Sequence, residues 1–144
     1  MLNALTVKLE TILVVDDNAT VLKVVTEVLR HADFQVLSAD SGVNAIKLAK
    51  QTEGRIDLLL SDVDMPEVSG PDLGVILKAV RPDMHVMLMS GGDNGNLLVL
   101  NYGWAFIQKP FVAAKLVEMV IAVMRSPDRS QPGGQEFDCR KDTR

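Results

Sequence analysis

Four places in the chain could do chemistry together. Asp16 and Asp17 follow the apolar run "TILVV" (11–15), and Asp62 and Asp64 follow "IDLLLS" (56–61). Ser90 closes "HVMLMS" (85–90) ahead of Gly91-Gly92, and Lys109-Pro110 follows "AFIQ" (105–108). Carboxylates gathered in a partly desolvated place repel one another and need a cation. Hard oxygen ligands with room for water suit Mg²⁺, which takes a few protein oxygens and leaves positions for phosphate. A lysine among acids can then pair with phosphoryl oxygens. An aspartate is a competent nucleophile toward phosphorus and would give an acyl phosphate. Metal and lysine together would offset the charge that develops in that transfer.

These residues meet only if the intervening elements bring them to one rim. The four runs just named and "FQVLSA" (34–39) read as five strands, most of them apolar at consecutive positions, as strands covered on both faces are. Between them lie helical patterns. "ATVLKVVTEVLRHA" carries Val21, Val24, Val25, Val28 and Leu29 at helical spacing, and "SGVNAIKLAKQ" opens on Ser41, a good cap. "GPDLGVILKAV" has Pro71 in its first turn and stops before Pro82, and "VAAKLVEMVIAVMR" is the last helix. Strict alternation of strand and helix predicts a parallel sheet with helices on both faces. In such sheets a ligand sits outside the carboxyl ends of the strands, where Asp16, Asp17, Asp62, Ser90 and Lys109 all fall.

The set "VVDDN", "LLLSDVDMP", "MSGG" and "FIQKPF", in that order, resembles the receiver domain of two-component response regulators over roughly residues 10 to 125. The resemblance implies a flavodoxin-like (βα)5 three-layer α/β sandwich with strand order 2-1-3-4-5. It implies that Asp62 is the phosphoacceptor and a Mg²⁺ ligand, with Asp17 binding the ion directly, Asp16 mainly through water and Asp64 through its backbone carbonyl. Ser90 would turn its hydroxyl onto the phosphoryl group, Lys109 would pair with a phosphoryl oxygen, and Phe106 would be the switch aromatic. The Lys109-Pro110 bond would be cis. The implied phosphoryl donor is a histidine kinase or phosphotransfer protein, and the output is binding to a downstream protein. Two departures stand out. The stretch from Ser90 to Lys109 is shorter than usual, so a helix within "DNGNLLVLNYG" should be short or irregular. Asp64 and Gly92 occupy places that line the path of attacking water in the family, which should alter the lifetime of the acyl phosphate.

Bulk properties set the surrounding expectations. At 144 residues, with 47% hydrophobic and 24% charged, the chain has the composition of one globular domain. A net charge of −4 offers no basic excess for nucleic acid. No apolar run reaches membrane-spanning length, and residues 1–10 carry charges where a signal peptide needs an apolar core. The single Cys139 suits a reducing compartment, so a cytoplasmic protein is expected. Residues 126–144, rich in Pro, Gly and charge, read as a flexible tail or truncated linker after a receiver domain at 10–125. The last helix is apolar almost all round and "LLVL" (97–100) is similar, which favours a homodimer or another partner on that face.

Each residue has a plainer reading. Asp16-Asp17 can complement a helix dipole with Asn18 as cap, Ser90 can be a satisfied strand-end hydroxyl, and Lys109 can be solvated. These readings need independent accidents at the correct strand ends. A competing enzyme reading also exists, since "LLLSDVDMP" resembles the Asp-x-Asp loop of haloacid-dehalogenase-type phosphatases, with Asp62 as nucleophile and Asp64 as acid/base. Against it, the acidic pair lies at the front of the chain and the length leaves no room for a cap domain. The receiver reading is a switch rather than an enzyme.

Overall fold

The computed structural model describes residues 9–92 and 102–126. Five parallel strands form one sheet in the order β2-β1-β3-β4-β5, as the resemblance implies. They are β1 (Thr11–Val15), β2 (Gln35–Ala39), β3 (Leu58–Asp62), β4 (His85–Ser90) and β5 (Ala105–Gln108). The helices are α1 (Ala19–His31), α2 (Gly42–Gln51), α3 (Gly70–Val80) and α4 (Ala113–Arg125). Segments 93–101 and 127–144 lie outside the described residues. They contain "LLVL", the irregular helix expected between Ser90 and Lys109, and the expected tail with Phe137 and Cys139.

Alternation along each strand divides the core into two layers. Leu13, Val15, Leu59 and Leu88 face α2 and α3, where Ala45, Ala49, Leu73 and Leu77 meet them. Ile12, Val14, Leu58, Leu60, Met87 and Met89 face α1 and α4, against Val25, Leu29, Leu116 and Val120. Both faces of the central strands are therefore apolar, which is why their sequences run apolar at consecutive positions.

Helix starts follow local chemistry. The Asn18 side chain accepts from the N–H groups of Thr20 and Val21 at 3.0 and 3.1 Å, and Ser41 accepts from Asn44 N–H at 3.1 Å. Ser69, which the sequence reading did not single out, caps α3 by accepting from Asp72 N–H at 3.2 Å, ahead of Pro71. The far end of α2 is held by Arg81, whose guanidinium donates to the carbonyls of Ala49, Thr52 and Gly54 at 3.0, 2.7 and 2.9 Å. A cation on the final carbonyls of a helix satisfies acceptors that have no partner within it.

Two strands differ in their bounds from the sequence reading. Strand β2 starts at Gln35, since Asp33 takes a left-handed conformation (φ 71°) and Phe34 N–H bonds back to the Leu29 carbonyl at 3.2 Å. Strand β3 is displaced along the chain to Leu58–Asp62 from the expected 56–61. Asp57 is occupied at its entrance, taking the Thr11 N–H on its carboxylate at 2.8 Å and giving its own N–H to the Thr11 carbonyl at 2.8 Å. Asp62 thus belongs to the strand instead of following it.

Exposed apolar surface is not confined to the last helix. On α4, Leu116 and Val120 are buried, while Met119, Val123 and Met124 pack partly against the same core. The helix whose outer face is most apolar among the described residues is α3, with Val75, Ile76 and Val80 exposed.

Candidate functional site

The carboxyl ends of β1, β3, β4 and β5 lie side by side because the register aligns them. Val15 pairs with Ser61, Asp62 with Met89, and Ser90 with Gln108. Each strand then delivers its next polar residue to the same rim. Asp16 is wholly buried there, Asp62 is 7% exposed, and Asp17 beside them is open to solvent. One carboxylate oxygen from each of Asp16, Asp17 and Asp62 lies within 4.8 Å of the others.

Lys109 reaches into this group from the end of β5. Its ammonium donates to Asp16 Oδ2 at 2.9 Å and to Asp62 Oδ1 at 3.1 Å, bridging two strands. The other oxygen of Asp16, Oδ1, accepts the Asn18 N–H at 2.9 Å, so the acid that anchors the site also organises the start of α1. The Lys109-Pro110 peptide is cis, as the resemblance implies. Lys109 N–H donates to the Ser90 carbonyl at 2.8 Å, which fixes the end of β5 against the end of β4. Ser90 is fully buried, and its Oγ accepts the Gly92 N–H at 3.0 Å.

Electrostatics follow from this geometry. Burial pushes the Asp62 carboxyl above its ordinary range, the neighbouring Asp16 charge adds to that, and Lys109 opposes it. For Lys109, burial works against the charge, but the two carboxylates outweigh it and hold the ammonium more firmly protonated than usual. Three acids beside one lysine leave an excess of negative charge, with Asp16 and Asp62 buried and Asp17 open to solvent. A small divalent cation fits that deficit and that all-oxygen donor set, and Mg²⁺ is the hard ion that keeps waters and phosphate oxygens in its remaining positions.

The remaining sequence candidates fall around this centre. Asp64 is exposed, and its carboxylate is not part of the three-acid group. Phe106 is half-buried, opposite Leu88 in the ladder, and packs on the α2/α3 side of the core. The reading of Lys109 as a solvated lysine fails, since its side chain is 22% exposed and held by two carboxylates. Two contributors were not singled out from sequence. The hydroxyl of the buried Ser61 donates to the Asp62 carbonyl at 2.9 Å, and Gly70 packs against the same peptide. A serine before the acid and the run Ser69-Gly70-Pro71 are the only traces they leave in the sequence.

Comparison with known proteins points the same way. Residues 12–121 match the response regulator receiver domain family. The transcriptional regulatory protein PrrA of Mycobacterium bovis is 33% identical over 117 residues, which are 79% of this chain and 49% of PrrA. The sensor kinase CckA of Brucella abortus is 30% identical over 82% of this chain and 13% of its own length. This chain thus spans about half or less of these relatives. Among solved structures, the receiver domain of the hybrid histidine kinase CckA superposes with TM-score 0.69 at 33% identity, covering 80% of this chain and 99% of that one. A receiver domain protein from Clostridium thermocellum gives TM-score 0.73 at 27% identity, covering 81% and 94%. The phosphatase alternative built on Asp62 and Asp64 gains no support from these relatives or neighbours.

Proposed function

The chain belongs to the response regulator receiver domain family of two-component phosphorelay signalling, and from that premise we propose that Asp62 is its phosphoacceptor. The observation that carries the proposal is the bridge from Lys109 to both Asp16 and Asp62, beside three carboxylates close enough to share one ion. Asp16, Asp17 and Asp62, with the Asp64 carbonyl, are the residues that would hold Mg²⁺. The ion would supply charge neutralisation to the phosphoryl oxygens.

The chain's own residues do the rest. The Asp62 carboxylate attacks phosphorus of a phosphohistidine on a histidine kinase or phosphotransfer protein. A carboxylate O–P bond forms, the N–P bond breaks, and the imidazole leaves with its electron pair and takes up a proton. Lys109 gives up a contact to Asp62 and turns its ammonium onto a phosphoryl oxygen, a short displacement from its present place. Ser90, now bonded to the Gly92 N–H, offers its hydroxyl to another oxygen, and half-buried Phe106 follows inward. The changed surface then binds a downstream protein, a second copy of the chain being one such partner. The relatives' own outputs are not carried over, since this chain spans only 49% of PrrA and 13% of the CckA kinase.

No helix among the described residues is long and apolar enough to cross a membrane. A cytoplasmic place beside the catalytic part of a kinase suits the proposed donor. The test uses acetyl phosphate with Mg²⁺ and intact-protein mass spectrometry. Wild type gains the mass of one phosphoryl group, and Asp62→Ala or omission of Mg²⁺ abolishes the gain. Equal labelling of Asp62→Ala would remove Asp62 from the role.

A further inference from the structure

The geometry points to Ser61 as a positioning residue that aims the Asp62 carboxylate through its own backbone, an inference that rests on Asp62 being the phosphoacceptor. Ser61 is 0% exposed in a strand whose other members are Leu58, Leu59, Leu60 and Asp62. By alternation its side chain points with Leu59 and Val63 into the layer under α3, where its neighbours are apolar. A buried hydroxyl there needs a partner. It takes the Asp62 carbonyl, donating at 2.9 Å.

Among the described residues, that carbonyl has no other donor. The Val63 N–H bonds to the Met89 carbonyl on β4 at 2.9 Å, which turns the Asp62 carbonyl of the same planar peptide toward β1. The β1–β3 ladder, however, ends at Val15 opposite Ser61, one residue short. The hydroxyl therefore substitutes for the missing ladder bond at the residue whose carboxylate reaches Lys109. Gly70, the first residue of α3, packs on the same carbonyl, so near that an added Cβ would collide with the Asp62 oxygen and lie 3.0 Å from Val63 Cα. Peptide 62–63 is thus held by its ladder bond to Met89, by a hydroxyl and by packing, and its orientation sets where the Asp62 side chain leaves the strand.

Without the hydroxyl, the peptide can tilt to find water, and the carboxylate moves with it. A misplacement of about 1 Å costs on the order of 100-fold in a positioned reaction. A partial tilt is expected to cost about tenfold. The test is the rate of labelling by acetyl phosphate at saturating Mg²⁺, measured on folded protein for wild type and for Ser61→Ala, Ser61→Thr and Ser61→Val. Thr and Val have nearly the same volume but differ in the hydroxyl, so any crowding in this full site affects both. Thr is expected to label close to the wild-type rate, and Ala and Val about tenfold slower. A role confined to stability would shift unfolding midpoints while leaving Thr and Val equal in rate. Equal rates for Thr and Val, or a wild-type rate for Ala, would overturn the positioning role alone. An unlabelled wild type would overturn the phosphoacceptor reading and this inference together.

Discussion

Lys109→Met is expected to slow phosphorylation of Asp62 by at least ~100-fold, the usual consequence of removing one preorganised donor from a site where anionic charge develops. Met keeps the length of the stem but removes the ammonium that now bridges Asp16 Oδ2 and Asp62 Oδ1. The same change should destabilise the metal-free protein by about 2 kcal/mol, less than the ~3–5 kcal/mol for breaking a fully buried pair, because Asp62 can take up a proton instead. Its carboxyl is already pushed upward by burial and by Asp16, and loss of Lys109 removes the group that opposes them. A carboxyl raised in the folded state penalises folding at every pH above its folded pKa. The penalty is relieved as pH falls from that value toward the ordinary 3.8. Thermal midpoints without Mg²⁺ should therefore drop in Lys109→Met at neutral pH, and the deficit should shrink on acidification through the raised pKa. A variant that labels at the wild-type rate, or whose deficit is the same at every pH, would contradict this account of the charge balance.

Gly70→Ala is expected to cost about 3 kcal/mol, the upper end of what overpacking usually costs. The added Cβ would collide with the Asp62 carbonyl oxygen and lie 3.0 Å from both the Asp62 carbonyl carbon and Val63 Cα. All three atoms are backbone, so no side chain can swing aside, and α3 must lift from the end of β3. On helix propensity alone the change would be favourable by roughly 1 kcal/mol, so a measured loss reports the collision. The melting temperature should fall by about 10 °C for a domain of this size. Labelling of Asp62 should slow as well, since the displaced peptide carries the proposed phosphoacceptor. A melting temperature at or above the wild-type value would show that the loop after Asp62 does not press on the strand as described.

The layered architecture was legible because the central strands are buried on both faces and their sequences show it, from "TILVV" to "HVMLMS". The acids and Lys109 were legible because a parallel sheet sends whatever follows its strands to one rim. The register of β3 was not, since Ile56 and Leu58 are equally apolar and only the backbone pairing of Asp57 with Thr11 decides where the strand begins. Nor could spacing show that Lys109 would hold two carboxylates at once, a matter of how far Asp16 and Asp62 stand apart across adjacent strands. Ser61 and Gly70 were hidden for a related reason. Their roles lie in contacts to one carbonyl oxygen, and no pattern of residue types encodes which peptide a helix start will touch. Helix α3 shows a limit of a different kind. Its sequence is apolar nearly throughout and does not mark the buried face, which the structure makes of Gly70, Pro71, Leu73, Gly74 and Leu77 while Val75, Ile76 and Val80 are exposed.

Three carboxylates meeting beside one lysine is the geometric claim under every step, and a Mg²⁺ titration followed through backbone amide chemical shifts tests it most directly. The expected result is one saturable site, with the largest shifts at Asp16, Asp17, Asn18, Asp62, Val63 and Lys109 and little change at Thr11, Gln35 and His85 at the opposite end of the sheet. Asp17→Ala and Asp62→Asn should each weaken that site. Shifts scattered evenly over the surface, or saturating at the far end of the strands, would contradict it.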